Sequence, residues 1–186
     1  VVEDWLIDNC EFSNVSSSHN GGTLYTHSNP ANDNLSPKAI HITNCNFTDS
    51  SSGFGGAIGH LDGSLDICNS NFINSKADSV GGAIYTSWAN LSLTNCNFIS
   101  NSAGSNAGAI YFDKGKLVID RSNFTDNNVN AIYSGNESVI YANDVDANIK
   151  NSTFNNGGVA IYANFASNSD IDISDSTDIF LMANTD

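Results

Sequence analysis

Basic residues are nearly missing from this chain. Six of them, with Arg121 the only arginine, stand against twenty acidic residues, for a formal net charge of −14. Recognition of phosphate backbones needs clustered Lys and Arg, so nucleic acid and anionic lipid are excluded as expected partners. The acidity reads as the solubility charge of an exposed surface. Long apolar runs are also absent, and no segment has the length of a transmembrane helix or the layout of a signal peptide. Proline is confined to Pro30 and Pro37, leaving the rest of the chain free of the residue that most damages a central strand. Charged residues of either sign make up 14%, yet the chain does not read as disordered, because its apolar residues recur in register.

What is abundant is a repeated pattern. Its clearest copy runs from Gly81-Gly82-Ala83-Ile84-Tyr85 through Leu91-Ser92-Leu93-Thr94 to Asn95-Cys96-Asn97-Phe98. The glycine pair suits a backbone bend closed to other residues. Leu91 and Leu93 alternate with polar neighbours, the period-2 signature of one buried face. Asn95 interrupts the alternation, and Asn tolerates a left-handed bend better than any other non-glycine residue. The copy therefore reads as three short strands with a bend at each junction.

The closing anchor recurs at Asn9-Cys10-Glu11-Phe12, Asn44-Cys45-Asn46-Phe47, Asn69-Ser70-Asn71-Phe72, Arg121-Ser122-Asn123-Phe124 and Asn151-Ser152-Thr153-Phe154. The opening anchor recurs at Gly21 to Tyr25, Gly55 to Ile58, Ala107 to Tyr111, Ala131-Ile132-Tyr133 and Ala160-Ile161-Tyr162. Phe72, Phe98 and Phe124 are spaced by 26 residues. One copy cannot bury its own apolar side, so the repeat implies stacking. The expected fold is all-β: a single right-handed parallel β-helix over residues 1–186, of roughly six to seven coils of about 26 residues. Because solenoids need capped ends and Val1 to Ile7 already reads as a strand, the chain is expected to be a segment of a longer repeat protein. Neighbouring repeats of that chain would then be partners.

In such a stack Phe47, Phe72, Phe98, Phe124 and Phe154 form one inward row. Asn44, Asn69, Asn95 and Asn151 form a ladder of amides bonded from coil to coil, with a local fault where Arg121 replaces Asn. Cys10, Cys45 and Cys96 share an inward slot with Ser70, Ser122 and Ser152, and Cys68 faces out. Reduced thiols are the favoured reading; a Cys10–Cys45 bridge is within reach in Cα distance, but parallel side-chain vectors disfavour it. No ligand spacing points to a metal or other cofactor. Residues 26–38 are expected to project as a loop, short links such as Lys76–Val80 and Ser102–Asn106 to be turns, and Gly135–Asp144 to be a partly ordered excursion. The last coil, from Ile171 to Leu181, reads as losing the anchor.

Candidate chemistry is sparse. Tyr25, Tyr85, Tyr111, Tyr133 and Tyr162 follow the opening Ile, with Gly59 as a gap. If that Ile points inward, the tyrosines form an outward row, and Tyr85, Tyr111, Tyr133 and Tyr162 become candidate ligand-binding residues for sugar rings. The favoured alternative is that the row only stabilises the sheet by cross-strand contact; with the opposite strand phase the tyrosines are core. A glycosidase needs two carboxylates roughly 5–9.5 Å apart. Asp66 and Asp172 share a slot, as do Asp8 and Asp120, but other coils separate them. The histidines His19, His27, His41 and His60 all fall early, and His41 reads as a solvated outward residue. Asp170, Asp172, Asp175 and Asp178 match no calcium-loop spacing. Asn-x-Ser/Thr acceptors at Asn14, Asn34, Asn46, Asn90, Asn123, Asn136 and Asn151 carry little weight in a chain this rich in Asn, Ser and Thr.

Gly55 to Ile58 and Gly81 to Ile84 match a Gly-Gly-Ala-Ile motif, and Phe98-Ile99-Ser100-Asn101 and Phe124-Thr125-Asp126-Asn127 match Phe-x-x-Asn. Through these motifs the chain resembles the repeats of chlamydial polymorphic membrane proteins. Its acidic, Asn-rich background and Asn-Cys-Asn-Phe anchors look more like adhesin-like surface proteins of methanogenic archaea. The resemblance implies a pectin-lyase-like β-helix at the cell surface, with no catalytic residues to carry over. The expected function is an extracellular, non-catalytic adhesin-like module attaching to a glycan or protein receptor on another cell. The alternative is a polysaccharide-active hydrolase or lyase on the same scaffold.

Overall fold

The computed structural model describes residues 4–27, 39–129, 138–156, 161–164, 171–177 and 181–184. Every strand pair within them is parallel, and the pairs assemble into three sheets that wrap a β-solenoid. Ten strands form the first sheet, among them the long strands Ile58–Cys68, Ile84–Thr94, Ile110–Asp120 and Ile140–Lys150. Six form the second, from Glu11–Ser13 to Thr153–Asn155, and four the third: Ser51–Phe54, Lys76–Val80, Ser102–Ala103 and Asn128–Val129.

Successive coils superpose residue on residue. Ile84 lies beside Ile58 and Ile110, and Leu93 beside Ile67 and Ile119. All of these are fully buried, and burying a side chain of this size contributes roughly 1.5–3 kcal/mol. The phenylalanines of the second sheet stack face to face from Phe12 through Phe47, Phe72, Phe98 and Phe124 to Phe154, with ring centroids 4.7–5.0 Å apart. That distance is the spacing between adjacent strands.

The corners are left-handed bends. Between the first and second sheets sit Asn9, Asn44, Asn69, Asn95, Arg121, Asn151 and Asp175, all with φ between 48° and 54°. Asn14, Asp49, Asn74, Ser100 and Asp126 make the next corner in the same conformation. The third corner uses the glycine pair, and its two residues do different work. Gly81 takes φ 69°, whereas a Cβ on Gly82 would fall 2.0 Å from the Gly108 carbonyl oxygen of the next coil.

Several expectations need correction. Four turns, not six to seven, carry a strand in all three sheets among the described residues. The opening and middle strands are one element of eleven residues, bent at Asp62, Trp88, Lys114 or Asp144 with φ of 51–62°. The third face is built from the segments expected to be turns: Lys76–Val80 and Ser102–Ala103 are strands. Two to five residues are too few to show a period, and the inward positions hold small residues, Ala77 and Ala103.

The excursion after Gly135 is also misplaced. Ile140–Lys150 is a central strand, and Val139-Ile140-Tyr141 supplies the rung beside Ala109-Ile110-Tyr111. Ala131-Ile132-Tyr133 lies outside the described residues. The last coil keeps its anchor as Asp175-Ser176-Thr177: Asp175 makes the bend, and the Ser152 N–H donates to Ser176 Oγ at 3.1 Å. Of the loop expected at 26–38, Thr26 and His27 belong to the strand Leu24–His27, and residues 28–38 lie outside the described residues.

Candidate functional site

The amide ladder can be traced link by link. Asn69 Nδ2 donates to Asn44 Oδ1 at 3.4 Å, and Asn95 Nδ2 to Asn69 Oδ1 at 2.8 Å. At the next rung Arg121 turns aside to pair with Asp120 at 2.8 Å, and Asn151 Nδ2 donates to Asp120 Oδ1 instead. A second, outward ladder joins Asn46, Asn71, Asn97 and Asn123 at 2.6–3.0 Å. A third lies inside. Asn101 and Asn127 are buried, and each donates its amide to a carbonyl of the previous coil, Phe72 O and Phe98 O, both at 2.9 Å. That interior bond explains the Asn of Phe-x-x-Asn, whose role the sequence reading missed.

The Cys/Ser slot has an equally local cause. Each side chain donates to the carbonyl two residues earlier, Cys45 Sγ to Thr43 O and Ser70 Oγ to Cys68 O. The next coil's hydroxyl in turn accepts a backbone N–H, Ser70 Oγ from Cys45 N and Ser122 Oγ from Cys96 N. Cys10, Cys45, Cys68 and Cys96 are all free thiols. Burial pushes the Cys96 thiol up to about 11, which leaves it protonated and unreactive at neutral pH.

The tyrosines face away from the core, but their row is Tyr85, Tyr111, Tyr141 and Tyr162. Tyr141 takes the rung expected of Tyr133, which lies outside the described residues. Centroids are 5.5, 4.9 and 5.4 Å apart and the rings are stacked. The ring faces are therefore used on one another, and the row presents edges and hydroxyls rather than open platforms. Burial, reinforced by the neighbouring Tyr141, lifts Tyr111 to about 12, and burial also raises Tyr85 and Tyr141. All three stay protonated donors at neutral pH. Beside them Ser87 Oγ and Asn143 Nδ2 donate to opposite oxygens of Asp113, at 3.0 and 2.6 Å. Phe54 tilts against Tyr85 at 5.6 Å, next to the gap left by Gly59.

Among the acidic candidates, His41 sits between Asp66 at 3.3 Å and Asp4 at 3.7 Å on an exposed part of the first sheet. Asp8 accepts from Thr43 and Asn44, which holds its carboxyl below the usual range. Asp172 accepts from Asn148, and Asp170 and Asp178 lie outside the described residues.

One feature escaped the sequence reading altogether. A cleft of about 240 Å³ opens between Trp5, Tyr25, Thr26, His27, Ile40, His60 and Ser64. Its signal was present as a broken spacing. Ile58 and Ile67, Ile84 and Leu93, Ile110 and Ile119, and Ile140 and Ile149 are each nine positions apart, whereas Leu24 and Ile42 are eighteen apart.

The fold and these rows define the class of molecule, a parallel β-solenoid whose side faces are lined by tyrosine and asparagine ladders. No family model matches the chain, and comparison with curated proteins and with solved structures gives no match.

Proposed function

We propose that this chain is a non-catalytic adhesin-like module of a cell-surface protein, attaching through a side face of the solenoid to a glycan or protein receptor on another cell. In this reading the solenoid is right-handed and pectin-lyase-like, it is exposed outside the cell, and neighbouring repeats extend the same faces. The observation that carries it is the outward row of Tyr85, Tyr111 and Tyr141, whose ring centroids repeat every 4.9–5.5 Å beside the Ser87–Asp113–Asn143 hydrogen bonds. Weak identical contacts at a fixed step add through avidity, so a deep pocket is not needed. The resemblance to adhesin-like repeats supports the same reading.

The competing reading is a polysaccharide-active enzyme, for which Asp66 beside His41 is the best-placed acid. A glycan array run together with a reducing-sugar release assay separates the two. Binding without sugar release is expected, with loss of binding in a Tyr111→Ser/Tyr141→Ser variant. Sugar release abolished by Asp66→Ala would replace the adhesin by the enzyme.

A further inference from the structure

The second sheet turns an uncharged face outward. From Asn46–Thr48 to Thr153–Asn155, each of its strands buries a central Phe and points the two flanking residues away from the core. Those outward positions hold only Asn, Thr and Ile. The chain as a whole carries a net charge of −14, and its other faces show it. Asp66, Asp113 and Asp146 stand on the first sheet, and Lys76 and Asp78 on the third. A second copy is repelled by the acidic surfaces, and least of all by this one. Both corners that border the face, from Asn44 to Asn151 and from Asp49 to Asp126, lie among the described residues.

The face is also complementary to itself. Along the ladder from Asn46 to Asn123, each inner amide spends one N–H on the coil before and one lone pair on the coil after. An amide has two of each, so a donor and an acceptor remain at every step. An identical row offers the same pair, whereas a carboxylate only accepts and an ammonium only donates. Beside the amides runs a column of Thr48, Ile73, Ile99 and Thr125. Ile99 is 37% exposed. Two isoleucines at the centre with amides and hydroxyls around them make the apolar core and polar rim of an interface.

We propose that this face docks a second copy of the chain, antiparallel, about a two-fold axis running along the strands between Asn71–Ile73 and Asn97–Ile99. Rotation about that axis reverses the order of the coils but keeps each column opposite itself. Ile73 then meets the partner's Ile99, Asn71 the partner's Asn97, and Thr48 the partner's Thr125. The core rings repeat every 4.7–5.0 Å, so both copies step alike and the register holds along the face. At the margin Asp49 comes opposite the partner's Asp126, a repulsion that salt relieves. With steps of ~3.3 Å along the strands and ~4.8 Å between them, the face measures roughly 16 by 24 Å, or about 400 Å². That is about half of what each partner of a stable complex buries, so the dimer is weak and reversible. It uses none of the tyrosine row, and the two readings fail separately.

Sedimentation equilibrium and amide NMR over a concentration series test the contact. The native chain should pass from monomer to dimer in the millimolar range, with shifts confined to the second sheet. Added salt should strengthen the dimer severalfold by screening the acidic surfaces. Ile73→Asp sets a charge at the centre of the contact and should weaken it about tenfold or more. Val118→Asp adds the same charge to an outward position of the first sheet and should leave it within about twofold. Ile99→Lys alone should also weaken it, and a mixture of the Ile73→Asp and Ile99→Lys chains should dimerise again, because the axis brings those two positions together. Unchanged thermal midpoints show that these surface variants fold. A chain that stays monomeric at millimolar concentration in high salt overturns the interface. So does equal sensitivity to Ile73→Asp and Val118→Asp, or a mixture that does not recover. Glycan-array binding lost in Ile73→Asp, with the native chain monomeric throughout, would give the face to a glycan and reject the second copy.

Discussion

Asn101 and Asn127 stand one coil apart in the interior, and a single oxygen joins them twice. Asn127 Oδ1 accepts the Asn101 backbone N–H at 3.1 Å and the Asn101 side-chain amide at 2.9 Å. Asn127 in turn donates to Phe98 O and faces Asn156 in the same way. The corner between the second and third sheets is thus held from inside by amides that replace the ladder bonds lost where the backbone turns.

Replacing Asn127 by Ala leaves the buried Asn101 backbone N–H without its acceptor and removes a side-chain bond to the Phe98 carbonyl. The expected loss is about 1–3 kcal/mol, the cost of an orphaned buried group. Asn97→Ala in the outward ladder, where water can substitute, should cost under about 1 kcal/mol. Urea denaturation of the two variants side by side checks the contrast, and equal losses would show that the interior ladder has no special weight.

Phe98 lies between Phe72 and Phe124 at 4.8 and 4.7 Å and is fully buried. Phe98→Ala should destabilise by about 3–5 kcal/mol through the cavity it leaves. Nearest-neighbour contacts dominate a solenoid. Amide exchange should therefore accelerate first in the coils containing Phe72 and Phe124, before the stack as a whole is affected.

Arg121 interrupts the corner ladder. It holds φ 50° without the side chain that suits this bend, and its ion pair with Asp120 is exposed on the arginine side. Exposed pairs contribute little, so Arg121→Asn should raise stability by up to about 1 kcal/mol. The new amide would donate to Asn95, as Asn95 does to Asn69. A higher thermal midpoint is the readout, and a lower one would mean that the Asp120 pair outweighs the ladder.

His60 supplies a pH dependence. Burial lowers its folded pKa to about 4, against 6.5 for the free side chain. Above pH 6.5 both states are neutral and nothing is lost. As pH falls from about 6.5 to about 4 the unfolded chain takes up a proton that the folded chain refuses, so stability declines across that window and levels off below it. The linked loss is ~3 kcal/mol at most. The difference in urea midpoint between the native chain and His60→Phe should shift across this window, and a constant difference would place His60 in a wetter site.

Much of this was legible in the residue order. The Phe and Ile rows, the Cys/Ser slot and the corner asparagines recur at nearly fixed spacing, and in a parallel stack equal spacing means direct superposition. The third sheet was not legible, because Ser102–Ala103 and Asn128–Val129 are too short to carry a period. The tyrosine rung went to Tyr133 in the sequence reading because Ala131-Ile132-Tyr133 imitates the opening anchor. Only Ile140 keeps the nine-residue distance to the closing Ile149.

The residue pattern alone determined that this chain stacks. Its apolar residues return at one step and no single copy can bury its own, so only superposed coils satisfy them. The tertiary structure decided which surfaces remain open. Whether a ring is stacked between two others, as Tyr111 is, or pairs with a glycine and stays 47% exposed, as Tyr25 does, depends on what the adjacent coil places beside it. That Leu24–His27 and Ile40–Thr43 share one long partner strand, Ile58–Cys68, is likewise a relation between segments far apart in sequence.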